Sequence, residues 1–292
     1  MKIVVFGSEC KADKLPVIKG LFGKLASLGA EVFVQQSYSE FLGIALGYVP
    51  DAVSTVAESA VDESFDMALS VGGDGTFLRT AMHINRRNIP ILGINIGHLG
   101  FLADVSGNQI DETLEELFRH EYRIEERTLL HLQGYEHGFG GYNFALNEIA
   151  VLKRDTSSML TIHVYMDDVY LNTYVADGLL IATPTGSTAY SMSVNGPILL
   201  PHNRNFVISP VAPHSLNVRP IVIPDEAKFS LNVESRTESF LVAVDGRSED
   251  VKVGNSLIIS KANFSIKLIK RFNQTFMQVL REKLMWGADP RC

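Results

Sequence analysis

Cysteine is scarce in this 292-residue chain, with only two, Cys10 and Cys292, set at opposite ends. There is no CxxC pair and no Cys/His spacing suited to zinc, which excludes a disulfide scaffold and a structural zinc site and fits a reducing compartment. Long apolar runs are missing as well. No stretch reaches the roughly 18 uninterrupted apolar residues of a membrane span. The short apolar run at 3–6, ending at Gly7, is too brief for a signal-peptide core and reads as a first strand. Positive charge is in deficit: 26 Lys and Arg against 33 Asp and Glu leave a formal net charge of −7. A broad basic surface for nucleic acid or anionic lipid is therefore not expected, and a cytoplasmic location without membrane or nucleic-acid partners is.

Several catalytic signatures are also absent. There is no GxxxxGK[ST], which rules out a P-loop, and the spacing Gly93, Gly97, Gly100 is not the GxGxxG of a hydride-transfer site. Neither HExxH nor GxSxG occurs, so hydrolase chemistry has little support. The histidines are scattered, and His98 and His214 read as loop or hydrogen-bonded residues rather than ligands. No internal repeat or low-complexity tract is found.

Two segments do carry chemistry. The first is Gly72-Gly73-Asp74-Gly75-Thr76, directly after the apolar run at 67–71 and directly before a helical pattern. A carboxylate among glycines at a strand-to-helix turn lies beside exposed backbone N–H groups, with little side-chain bulk to block a phosphate. The same residues also suit a tight αL turn with Asp74 as N-cap. The second segment, at 177–191, runs from an apolar strand into a turn with hydroxyls at Thr183, Thr185, Ser187, Thr188 and Ser191 around Gly186. That loop is expected to line a polar ligand, although Thr and Ser cap helices too.

The strings GGDGT and DGLLIATPTGSTAYSMSVNGP resemble those of NAD kinases, the enzymes that phosphorylate NAD to NADP. Gly97, Gly100 and Phe101 in GINIGHLGFL, and the pair Asn147-Glu148, match that family in order and spacing. GGDGT alone is shared with lipid kinases and phosphofructokinase-like proteins. TPTGSTAY, preceded by Asp-Gly and an upstream Asn-Glu, is much more specific. The resemblance runs from near the start to Trp286, and it implies a homo-oligomer, a dimer or tetramer.

The periodicity predicts two domains. Residues 1–121 alternate strands at 2–6, 31–34, 67–71 and 89–94 with helices at Leu15 to Leu28 spacing, 76–86 and 111–120, with Gly29 closing the first helix. The stretch 37–63 reads as less regular. This is an α/β domain of three layers with a mostly parallel sheet, whose ligands lie beyond the strand C-termini. Residues 122–270 read as all-β, a sandwich with strands at 127–133, 144–152, 160–166 and 240–244. Phe272, Phe276, Val279, Leu280 and Leu284 mark a last helix, and the resemblance implies that 271–292 returns to complete the first domain.

Phosphorylating a ribose hydroxyl requires a base, a cation on the donor phosphates and groups that hold the reactants in line. Asp74 is the candidate base toward the adenosyl 2′-hydroxyl of NAD, with ATP as donor; it equally suits a share in holding a divalent cation, Mg or Mn, carried mainly by the ATP phosphates. Gly73 and Gly75 admit phosphate to the backbone, and Arg79, one turn into the helix, either reaches a phosphate or is solvated. The resemblance assigns Asn147 and Glu148 to the nucleotide, Asp177 to the nicotinamide end, and Thr185, Thr188, Ala189, Tyr190, Ser191, Met192 and Ser193 to the surroundings of the dinucleotide. Phe101 borders the same pocket or is a plain core aromatic. Two positions depart from the family pattern: Val175, where relatives are often basic, and Arg247 after the Asp245-Gly246 turn. Phosphate recognition is therefore expected from Arg247 or a neighbouring subunit, with Ala212 touching the ligand through its backbone. The alternatives are a GGDGT kinase of another substrate, such as a lipid, and a non-catalytic dinucleotide sensor.

Overall fold

The computed structural model describes residues 1–47, 53–97, 100–154 and 158–287. His98 and Leu99 of the GHLG segment lie outside the described residues, as does Cys292. The chain divides into two compact units, one of residues 1–126 with 266–292 and the other of residues 127–265.

The first unit opens with β1 (Lys2–Gly7), α1 (Leu15–Ser27), β2 (Glu31–Gln35), α2 (Gln36–Leu46) and β3 (Val53–Val56). It continues with β4 (Met67–Gly72), α3 (Asp74–Ile84), β5 (Ile91–Asn95), the short β6 (Val105–Ser106) and α4 (Ile110–Phe118). Strands β5, β4, β1, β2 and β3 pair in that order, all parallel. Every residue of β4 and β5 is buried, as a parallel sheet covered on both faces requires. Helix α1 buries Ile18, Leu21, Phe22 and Leu25, a stripe at helical spacing, and Gly29 follows its end at φ +71°, where a side chain would be strained. The stretch 37–63 is more ordered than its sequence suggests. It holds α2, capped by the Gln35 side chain, which accepts from the Tyr38 N–H, and then β3.

The second unit is built from antiparallel strands. In chain order they are β7 (Tyr122–Gln133), β8 (Phe144–Ala145), β9 (Glu148–Leu152), β10 (Leu160–Met166), β11 (Val169–Ala176) and β12 (Gly178–Ala182). After the single turn α5 (Tyr190–Ser193) come β13 (Asn205–Val211), β14 (Ile221–Pro224), β15 (Phe229–Glu234), β16 (Ser239–Val244), β17 (Arg247–Lys252) and β18 (Leu257–Arg271). One sheet runs β14-β13-β12-β9-β16-β17, and a second layer pairs β11-β10-β15-β18. Ile149, Ile181, Ile208 and Val242 of the first sheet meet Ile162, Tyr174, Leu231 and Ile259 of the second in one dry core. This is sandwich packing. The segment read as one strand at 144–152 is broken at Leu146 and Asn147, between β8 and β9.

The end of β18 belongs to the first unit, where Leu268 pairs in parallel with Ile91 of β5. The last helix, α6 (Phe276–Leu284), follows in the same unit behind a capping box formed by Thr275 and Gln278. Among the described residues, no helix is long and apolar enough to cross a membrane.

Candidate active site

In the first unit, β4 runs out of the sheet into Gly72, and α3 begins at Asp74 with extended Gly73 (φ −104°, ψ −169°) as its N-cap. Neither Gly73 nor Gly75 has a positive φ, so the turn is not the αL turn its glycines would allow. A Cβ at either position would meet nothing within 4 Å. Conformation and packing therefore do not demand glycine there, and what its absence of bulk provides is open access to the backbone. The bonds of α3 begin with the Thr76 and Phe77 N–H groups, both donating to Gly73 O, and the amides before them lie at the positive end of the helix dipole.

Asp74 does not cap its own helix. Its Oδ1 accepts from the N–H groups of Leu102 and Ala103, both at 3.0 Å, and Oδ2 accepts from the Phe101 N–H at 2.9 Å. The loop can close so tightly on the carboxylate because residue 100 is Gly; an added Cβ there would overlap Asp74 Oδ1. The remaining contact of Oδ2 is a longer one, to Lys283 Nζ of α6 at 3.3 Å. Lys283 Nζ also lies 4.3 Å from the centroid of the Phe101 ring, which in turn packs on Phe276. Arg79 is exposed and bends back to Thr76 Oγ1 of the same turn (3.3 Å). Gly73, Asp74, Gly75, Arg79 and Phe101 are thus brought together, with Lys283 as a member that sequence reading missed.

In the second unit, the Thr/Ser loop after β12 turns the hydroxyls of Thr183, Ser187 and Ser191 inward, where they hold the loop. Thr183 Oγ1 donates to Leu146 O (2.5 Å) and accepts from Gly186 N–H (3.1 Å). Ser187 Oγ donates to Pro184 O and accepts from Leu199 N–H, while Ser191 Oγ meets Ser209 Oγ at 3.2 Å. Thr188 bonds back to Thr185 O. These bonds hold a 3-10 turn and then α5 so that Tyr190 and Ser193 are exposed, with Thr185, Thr188, Ala189 and Met192 partly so.

Beneath this loop lies a buried carboxylate, Asp245. It sits with Gly246 in the two-residue turn between β16 and β17, both at positive φ (47° and 78°), the pattern of a type I′ hairpin. Its Oδ2 accepts from Leu146 N–H (2.7 Å) and its Oδ1 from Asn147 N–H (2.8 Å) and Glu148 N–H (3.1 Å). This anchorage breaks the strand and sets the Asn147-Glu148 pair. Burial nevertheless pushes the Asp245 carboxyl up to about 6, against the pull of those three N–H donors. Glu148 is pushed further, to about 8, by burial and then by the Asp245 charge, and only the Tyr190 N–H opposes the shift. Glu148 is partly exposed as a residue, yet its Oε2 is buried without a hydrogen-bond partner. The upward shift favours the protonated acid, the form that offers a ligand both a donor and an acceptor.

Three expected residues cluster elsewhere on this unit. Asp177 pairs with Lys153 Nζ at 2.7 Å, and its N–H donates to Val211 O. Val175 accepts at its carbonyl from His214 N–H, and Ala212 is exposed at φ +43°. Arg247 faces inward. Its Nη1 donates to Phe139 O and Tyr142 O and its Nη2 to Phe144 O, while its guanidinium lies 5.2 Å from the Tyr142 ring. The guanidinium is committed to backbone carbonyls, and the expectation that it recognises phosphate has no geometric support. Among the described residues, no group of three or more His, Cys, Asp or Glu could hold a metal ion.

Comparison with known proteins gives a single answer. The family model of the ATP-NAD kinase N-terminal domain matches residues 25–122, and that of the ATP-NAD kinase C-terminal domain matches residues 146–271. The chain is 50 % identical over 291 residues to an NAD kinase of Bacteroides fragilis, covering all of both chains. It is 42 % identical to an NAD kinase of Porphyromonas gingivalis over 99 % of each. An NAD kinase from Archaeoglobus fulgidus, solved in complex with ATP, superposes with a TM-score of 0.75 at 27 % identity, covering 98 % of this chain and 99 % of that one. Yeast NADH kinase complexed with NADH shares the fold, with a TM-score of 0.86 at 21 % identity over 99 % of this chain and 89 % of its own. With both domain models matched in order and relatives aligned from end to end, the chain belongs to the NAD kinase family.

Proposed function

We propose that this protein transfers the γ-phosphoryl group of ATP to the adenosyl ribose 2′-hydroxyl of NAD, giving NADP and ADP, with Asp74 as general base. The observation that carries the role of Asp74 is how its lone pairs are used. Among the described residues, two N–H donors saturate Oδ1, and Oδ2 is held by one N–H at 2.9 Å and otherwise by the longer Lys283 contact. The N–H donors fix the carboxylate in one orientation, and one direction at Oδ2 remains for a substrate hydroxyl. Proton removal from such a position contributes about 10²- to 10⁴-fold in rate. The open backbone at Gly73 and Gly75, the start of α3 and exposed Arg79 supply donors for phosphate oxygens.

On the second unit, protonated Glu148 with its unpartnered Oε2, the Asn147 amide and the exposed Tyr190 ring suit the adenine edge and ribose hydroxyls of a dinucleotide. Asp177, Val175 and Ala212, grouped at the opposite end of β12 from Glu148, suit its other end. A divalent cation would be carried mainly on the ATP phosphates, as suits an ion that keeps several waters and takes one or two carboxylates. When bound, such an ion neutralises charge on the β- and γ-phosphates. The reading places the protein in the cytoplasm as a homo-oligomer, which light scattering on the purified protein would check.

Incubation of the protein with NAD, ATP and Mg²⁺ should yield NADP. Dinucleotide binding without turnover would instead make it a sensor.

A further inference from the structure

The C-terminal helix α6 is tied down at its start, by contacts that do not involve Asp74. Arg123 donates from Nη1 to Arg271 O (2.7 Å) and from Nη2 to Gln274 O (2.8 Å), and Gln274 Nε2 donates to Asp104 O (2.8 Å). Lys270 and Asp104 form a buried pair at 2.5 Å, and Arg271 holds Glu116 through two hydrogen bonds. These ties sit before the first turn of the helix, and its last turn delivers Lys283 to Asp74 from 209 residues away in sequence. Among the described residues, the ammonium there meets the oxygen direction of Asp74 left over by the backbone N–H groups, and the face of Phe101, whose own N–H holds the same carboxylate. Lys283 thus occupies the place that a reacting hydroxyl must take, and it stands beside the glycine turn that admits phosphate.

We infer that Lys283 is a phosphate-binding residue of this site, parked on Asp74 while the site is empty and handed to the triphosphate of ATP when the acceptor hydroxyl takes its place at Oδ2. The exchange keeps charge paired throughout: one carboxylate partner is replaced by phosphate oxygens, and Asp74 is freed to accept a proton. A lysine suits this better than an arginine, because a compact ammonium on a flexible stem can change partners without breaking a bidentate fork. The assignment rests on the reading of Asp74 as the base.

The test is the affinity for ATP, titrated with Mg²⁺ and without NAD, in the parent, K283M, K283R, D74N and D74N/K283M, each first checked for an unchanged thermal midpoint. Charge-assisted contacts to phosphate predict roughly tenfold weaker ATP binding in K283M and recovery to within about threefold in K283R, with the KM for NAD moved less than twofold. Removing the carboxylate releases the parked lysine, so D74N should bind ATP several-fold more tightly than the parent, and K283M should abolish that gain in the double variant. A merely structural lysine would not give this pattern. Unchanged ATP affinity in K283M overturns the proposal, and so does a gain in D74N that survives in D74N/K283M, since it would then come from lost repulsion alone. If D74N turns over like the parent while K283M still loses ATP affinity, the base reading fails and the phosphate contact stands.

Discussion

A carboxylate with three backbone N–H donors is ordinarily a structural tie, as Asp245 shows in the second unit, where both oxygens of a buried carboxyl accept from the 146–148 backbone beneath a turn whose Gly246 is exposed. Asp74 has the same number of N–H donors but keeps a partly exposed side chain and, among the described residues, an oxygen direction met by Lys283 at 3.3 Å. The difference between an anchor such as Asp245 and the base proposed at Asp74 therefore lies in what is left over after the N–H groups are satisfied. Asp74→Asn keeps the size of the side chain but removes the basic oxygen. We expect its kcat for NADP formation to fall by about 10²- to 10⁴-fold while NAD binding, followed by titration, changes little. Parental turnover in a folded, saturable variant would remove Asp74 from the chemistry.

At the scale of elements, the Thr/Ser loop works by inward hydrogen bonds, and its tightest point is Gly186, where an added Cβ would overlap the backbone oxygen and carbon of Asn147. A backbone neighbour cannot swing aside as a side chain can. Gly186→Ala should therefore destabilise the protein by about 1–3 kcal/mol, as overpacking does, and weaken dinucleotide binding because Asn147 and Glu148 must shift. A melting curve and an NAD titration that both match the parent would show that the loop has slack. The loop also marks the limit of what sequence discloses. Strand β4 and helix α3 were legible because a fully apolar run meets a glycine turn and then a periodic stripe of Phe77, Ala81 and Ile84. Helix α2 was not, because it buries only Tyr38, Ser39 and Leu42 and carries Gly43 inside, so its apolar period is faint. The hydroxyls of Thr183, Ser187 and Ser191 were identifiable as a cluster, but which way they point depends on Leu146, Leu199 and Ser209, all distant in sequence. Lys283 left no local signal at all, since a lysine in the last turn of a helix is ordinary and only the fold brings it to Asp74.

For the molecule as a whole, the two carboxyls buried beneath the Thr/Ser loop couple stability to pH in an unusual direction. Most paired carboxylates stabilise a protein as they ionise. Here burial holds Glu148 at about 8 and Asp245 at about 6, both above their ordinary values. The native state consequently keeps protons that the unfolded chain has already lost, and the stability slope between those values and the ordinary carboxylate range is negative. This contribution is complete below the unfolded values and disappears as pH rises through about 6 for Asp245 and about 8 for Glu148. Glu148→Gln mimics the protonated acid at every pH. Urea midpoints measured from pH 5 to pH 9 should therefore decline for the parent and decline distinctly less for the variant, with the two curves separating most above pH 8. Parallel curves would mean that Glu148 is ionised in the folded protein near neutral pH, and a ligand would then meet a carboxylate at this position rather than a donor and an acceptor together.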